Sequence, residues 1–268
     1  MNALKKAWAF LYEKYELLTA KKYTTVAGTL VFFLIMSLVP MTFWVMLLFG
    51  KLPFDTDKIL NLPIFASVKD VLAYVRDEAI NATSGASVFL LVTSLYSATS
   101  LFYQMRRSGE IVYGYRKKRH GLKLRVGAVA LLFSAMALVL ASLLLFAIGT
   151  FFFSWFVGGV WETVADYLLL AGVAYLLVFL LNVYMCPYKT SVKHFWLGSL
   201  CTVLAWAVAL VGFTVYLSIS NMTRLYGALS TLIVFLLWLY VLMICFVAGV
   251  IFNSETVRLA RKRERLYK

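Results

Sequence analysis

Six stretches of this chain contain no Asp, Glu, Lys or Arg: Tyr23–Gly50, Ala79–Met105, Val126–Trp161, Tyr167–Tyr188, His194–Thr223 and Leu225–Ser254, of 28, 27, 36, 22, 30 and 30 residues. A helix needs about 20 apolar residues to cross the hydrocarbon of a bilayer. Inside that hydrocarbon every backbone N–H and C=O must be satisfied within the protein, which leaves the helix as the natural spanning form. The runs therefore predict an all-α membrane protein with six transmembrane helices in a single polytopic domain, 1–268. Spans are expected at about 27–49, 86–105, 127–152, 163–184, 196–217 and 228–253. The 36-residue run has room for a helix plus a re-entrant piece, which would make the alternative count seven. Only 14% of the chain is charged, against roughly 25% in soluble domains. That is too little polar surface to cover a soluble fold of this length.

Orientation follows from the loop between the second and third runs. Arg106, Arg107, Arg116, Lys117, Lys118, Arg119, Lys123 and Arg125 stand there against one acid, Glu110. Clusters of this kind in short loops stay cytoplasmic. With that loop inside, parity leaves 21 of the 26 Lys and Arg on the cytoplasmic side, including both termini. The formal net charge of +14 is then read as a topology signal and as contact with anionic lipid headgroups, not as a nucleic-acid footprint. Arg116, Lys117, Lys118 and Arg119 are the candidate headgroup contacts. Arg224, alone in the third outer loop beside Tyr226 and Gly227, is a further one. The basic tail, 258–268, is expected in the cytoplasm. Cys186, Cys201 and Cys245 have no extracellular partner, which argues against a disulfide framework. No cleavable signal peptide is expected.

Two amphipathic stretches flank the first span. Leu4, Ala7, Trp8, Leu11, Tyr15 and Leu18 recur at helical steps opposite Lys5, Lys6, Glu13 and Glu16. This predicts an interfacial helix within 3–22, or one packed on the other helices. In the first outer loop, Ile64, Phe65, Val68, Val71, Leu72, Val75 and Ala79 predict a second such helix. Pro40 should kink the first span, with Ser37 placed to take up a freed backbone group. In the second span Thr93, Ser97, Ser100 and Gln104 share one face. They would line a substrate path or, as the simpler account, serve helix packing. Gly198, Thr202, Ala205, Ala209 and Gly212 form a stripe of small residues on the fifth span, where two backbones should approach closely.

No catalytic or metal site is expected. His120 and His194 lack Cys or carboxylate neighbours at ligand spacing. There is no phosphate-binding loop, dinucleotide fingerprint or serine elbow, and no cofactor is implied. No charged residue lies deep in a span, as ion coupling usually requires. What remains is softer: Asn182 near the inner end of the fourth span, and Trp206 and Trp238 near mid-membrane, lining a path or packing internally.

Ser37-Leu38-Val39-Pro40, then Tyr184-Met185-Cys186-Pro187 with Trp196, Gly198, Trp206 and Tyr216, then Tyr226-Gly227, Trp238-Leu239-Tyr240, Gly249 and Asn253 together resemble the YihY/virulence factor BrkB family over about residues 20–255. The resemblance implies a six-helix protein of the bacterial cytoplasmic (inner) membrane with unsettled biochemistry. Members carried an old tRNA-processing ribonuclease label, others were linked to serum resistance, and one branch was connected with lipid A precursor export. Members often carry Glu two residues before the closing Asn, where this chain has Ile251. The expected function is non-enzymatic transport or translocation of a lipid or other amphipathic substrate. The alternative is a structural or scaffold membrane protein of the cell envelope. A ribonuclease is disfavoured because Glu13, Glu16, Glu110, Glu255 and Glu264, the acids on the cytoplasmic side, are scattered.

Overall fold

The computed structural model describes residues 12–13, 16–51, 85–115, 121–156, 160–219 and 228–266. Their regular structure is entirely helical: α1 Tyr23–Lys51, α2 Gly85–Ala98, α3 Ser100–Val112, α4 Gly121–Phe156, α5 Val160–Met185, a single 3-10 turn Val192–His194, α6 Trp196–Ile219 and α7 Ala228–Leu266. Four helices are long and apolar enough to cross a membrane, through the segments Gly121–Ala141, Leu168–Met185, Val192–Tyr216 and Leu232–Arg263. A shorter apolar helical segment covers Tyr23–Leu38. Large apolar side chains such as Leu168, Leu170, Val208, Val211, Leu232 and Ile233 face outward. An apolar exterior of this extent suits lipid and would be a liability in water.

Several helices run past the ends that loss of charge predicts. The second run is two helices broken at Thr99. Thr99 Oγ donates to the carbonyls of Leu95 and Tyr96, at 2.9 and 3.1 Å, and Ser100 Oγ donates to Tyr96 as well, at 2.9 Å. Hydroxyls competing for backbone carbonyls in this way bend helices. The second half continues through Arg106 and Arg107 to Val112, so part of the basic loop is helical. It ends at Gly114, whose φ of 64° is a conformation that glycine adopts without strain. Tyr115 N–H bonds Glu110 C=O at 2.8 Å and Gly114 N–H bonds Ile111 C=O at 3.1 Å, the paired closure of a Schellman motif. The helix α7 carries the predicted basic tail on as helix to Leu266. In α1, Ser37 Oγ donates to Leu34 C=O at 3.0 Å. That is not the carbonyl of Met36, which Pro40 deprives of its N–H partner. Residues 3–11, 14 and 15 of the N-terminal amphipathic stretch and the helix expected in the first outer loop lie outside the described residues.

The described residues form two compact units, one from segments before 32, 105–115 and from 137 on, the other from 32–51, 85–104 and 121–136. In the first, α6 packs most extensively on α7 and next on α5. The stripe of small residues on α6 meets α7 only along part of its length. Gly198 and Thr202 are buried, and a Cβ on Gly249 would strike Thr202 Oγ and the Gly198 carbonyl. Further along the stripe, Gly212 is exposed and has open space. In the second unit, the Trp44 indole N–H donates to Ser94 Oγ at 3.2 Å, and its ring meets Phe133 edge-on at 6.0 Å.

Candidate functional site

A polar cluster within the first unit lies where α3 and α5 end, α6 begins and α7 passes from apolar to charged. At its centre are two fully buried amides. Asn253 Nδ2 donates to Asn182 Oδ1 at 2.9 Å, Asn253 Oδ1 accepts the Gly198 N–H at 3.0 Å, and Asn182 Nδ2 donates to Val178 C=O at 2.9 Å. The Gly198 N–H belongs to the first turn of α6, where no intrahelical acceptor exists. Asn253 therefore caps α6 from another helix. Gly198 must be glycine for this, because a Cβ there would overlap the Asn253 amide.

The helix C-termini are capped by distant cations. Arg106 Nη1 donates to the carbonyls of Tyr184 and Cys186 at the end of α5, and its guanidinium lies 5.7 Å from the Tyr184 ring centroid. Lys21 Nζ donates to Val112 C=O at the end of α3, at 2.5 Å. Both placements complement the negative end of a helix dipole. Burial lowers the Lys21 ammonium below the usual lysine range, with Glu255 opposing the shift and Arg258 adding to it. Burial likewise pushes the Cys186 thiol up, offset in part by a backbone hydrogen bond at Tyr188 and by Arg106. The Tyr113 phenol is pushed up by burial and by Cys186 beside it, with Arg106 opposing. Both groups thus stay neutral near pH 7.

Of the residues singled out from sequence, Asn182 is in this cluster. Trp206 lies further along α6 and donates its indole N–H to Leu242 C=O on α7 at 2.8 Å. Trp238 packs against Phe213 and Phe235, at 6.0 and 6.3 Å between ring centroids. Thr93, Ser97, Ser100 and Gln104 belong to the second unit. Thr93 is exposed and the other three are half-buried. Arg116, Lys117, Lys118, Arg119 and Arg224 lie outside the described residues. Sequence reasoning did not foresee the placement of Arg125. Its guanidinium lies 3.8 and 4.4 Å from the ring centroids of Tyr96 and Tyr103, and it donates to Tyr96 C=O at 3.2 Å. At the break the Tyr96 carbonyl thus accepts from the Arg125 guanidinium as well as from the Thr99 and Ser100 hydroxyls.

Two of the scattered acids are already paired: Glu110 with Arg107 at 3.4 Å and Glu255 with Arg258 at 3.3 Å. Among the described residues no three His, Cys, Asp or Glu side chains group as a metal site.

Apolar helices bearing a buried polar node and a cationic fringe at their ends define a helical membrane-type protein. The profile of the family described as Virulence factor BrkB matches residues 15–267, and the chain belongs to that family. It is also similar to a curated protein of Bacillus subtilis (strain 168), named as a ribonuclease-like protein, YfkH. The two are 24% identical over 275 residues, which cover 96% of this chain and 97% of the relative. No solved structure matches it.

Proposed function

We infer that this is a non-enzymatic, multi-pass protein of the bacterial cytoplasmic membrane that translocates a lipid or other amphipathic substrate. It crosses the bilayer six times with both termini inside. The observation that carries this reading is the junction on α7. The apolar length of α7, which exposes Leu237, Val241 and Phe252, gives way within a few positions to Asn253, Glu255, Arg258 and Arg261. That juxtaposes an oily surface with cations at the level where lipid headgroups sit. Family membership and the apolar helix exteriors support the membrane setting. The ribonuclease-like name of the relative favours hydrolysis, which needs a free general base or a metal held by carboxylates. Pairing of Glu110 with Arg107 and of Glu255 with Arg258 speaks against that role for either acid.

The test is reconstitution. Vesicles containing the purified chain should exchange a labelled anionic phospholipid between leaflets several-fold faster than empty vesicles. Equal rates across several lipid classes would remove the reading. Cleavage of tRNA by the purified protein, abolished by Glu110→Gln, would replace it with the enzymatic one.

A further inference from the structure

A cleft of about 260 Å³ opens in the first unit between Tyr113 at the end of α3, Tyr188 in the α5–α6 connection, and Ser254, Arg258, Arg261 and Lys262 on α7. The last four follow at helical steps, so one face of α7 supplies three cations. One of them, Arg258, is held by Glu255 at 3.3 Å. The other two are not so held. Lys262 is exposed and makes no ion pair among the described residues. Arg261 stacks on Tyr188, its guanidinium carbon 3.7 Å from the ring centroid. Tyr188 is itself braced, edge-on against Tyr113 and Tyr115 at 6.4 and 5.2 Å, with its hydroxyl donating to Tyr113 C=O at 3.5 Å. A guanidinium laid on a fixed ring keeps its planar fork of N–H donors oriented, which lowers the entropy lost when it grips an oxyanion. Ser254 has spent its proton on Ile251 C=O, at 2.7 Å. The donors left to a ligand are therefore Arg261, Lys262 and the Tyr113 hydroxyl, which is buried without a hydrogen-bond partner among the described residues.

We propose that this cleft binds a phosphate ester, with Arg261 as a forked donor and Lys262 as a point charge. The chemistry is that of phosphate because two cations, one of them a pre-oriented fork, match a group with several anionic oxygens. The volume lies just under the 300–1,000 Å³ typical of drug-sized pockets, which suits a phosphate with a small alcohol attached. The source is either a phospholipid headgroup or a free phosphorylated solute. The choice between them rests on the membrane placement above, whereas the site itself does not require transport.

The experiment uses the full chain purified in a neutral detergent, with bound lipid counted by native mass spectrometry. The lipids are phosphatidylglycerol and, as the phosphate-free control, a neutral glycosyl-diacylglycerol. Inorganic phosphate is the competitor, against chloride at matched ionic strength. The test variant is Arg261→Gln with Lys262→Gln. The control variant is Lys189→Gln with Lys193→Gln, which removes the same charge at exposed positions outside the cleft. The proposal predicts about fivefold or greater loss of phosphatidylglycerol in the test variant and less than about twofold in the control. If inorganic phosphate also displaces the lipid, the cleft takes either source. If it does not, the source is the lipid. Phosphate-induced stabilisation that is lost in the test variant, with lipid retention unchanged, assigns the free solute. If the test double variant does not fold, the exposed Lys262→Gln alone is measured, with about twofold loss expected against none for Lys189→Gln. Equal loss in test and control variants overturns the proposal, and so does equal retention of the phosphate-free lipid. A tRNA fragment bound through these residues in place of phosphatidylglycerol and phosphate also overturns it. Failure of leaflet exchange would leave these binding results intact, and failure of binding would leave leaflet exchange to be measured by itself.

Discussion

Asn253 satisfies two other helices at once, giving a donor to Asn182 and an acceptor to the α6 backbone at Gly198. Asn253→Ala strands both partners in a fully buried place, and an orphaned buried polar group costs about 1–3 kcal/mol. Asn253→Ala should therefore destabilise by about 2 kcal/mol in reversible denaturant unfolding. Together with Asn182→Ala it should cost less than the two separately, by about 0.6 kcal/mol, the typical coupling of intramembrane hydrogen bonds. Strict additivity would mean that the two amides do not act as a pair. Cys186 gives a second check at this scale. It is buried and its thiol is pushed up, so a permeant maleimide at pH 7 should modify it only after denaturation, because the thiolate is the nucleophile. Rapid labelling of folded protein would contradict the packing. Asn182 stood out from sequence as a lone polar residue in an apolar run, and Asn253 as part of a family motif. Their pairing spans 71 positions, a distance no local periodicity reports. Nothing in the residue string showed that Lys21 and Arg106 cap helices far from them along the chain.

Helices were legible because loss of charge over more than 20 residues is a strong signal, whereas their ends depend on single residues that composition averages away. Gly114 stops α3 well past the last apolar residue of its run, and Thr99 breaks the second run through hydroxyl bonds to Leu95 and Tyr96. The small-residue stripe on α6 was visible as spacing, yet only part of it is used, because α7 meets α6 closely through Gly249 and not at Gly212. This yields a graded prediction. Gly249→Ala and Gly198→Ala must push apart neighbouring backbone or a buried amide, so each should cost about 1–3 kcal/mol or more, as overpacked cores do. Gly212→Ala enters open space and should be neutral or gain up to about 1 kcal/mol from helix propensity. Thermal unfolding of the three variants in detergent checks the order, and a Gly212→Ala loss matching Gly249→Ala would contradict the α6–α7 contact. Ile251 is another element-scale outcome. It is fully buried on α7, so a carboxylate placed there would have to be desolvated without a partner.

At the scale of the whole molecule, the function rests on which end of the helices meets the cytoplasm. The cations of α7, the Lys21 and Arg106 caps and the proposed phosphate cleft all belong to one end of the first unit. The charge bias, 21 of 26 Lys and Arg on one side by the sequence reading, predicts that this end faces inside. The most direct measurement replaces the three native cysteines, introduces Lys118→Cys or Asn61→Cys singly, and labels intact cells with a membrane-impermeant maleimide. Residue 61 should react from outside, and residue 118 should react only after the membrane is permeabilised. Labelling of residue 118 in intact cells would invert every surface and contradict the account.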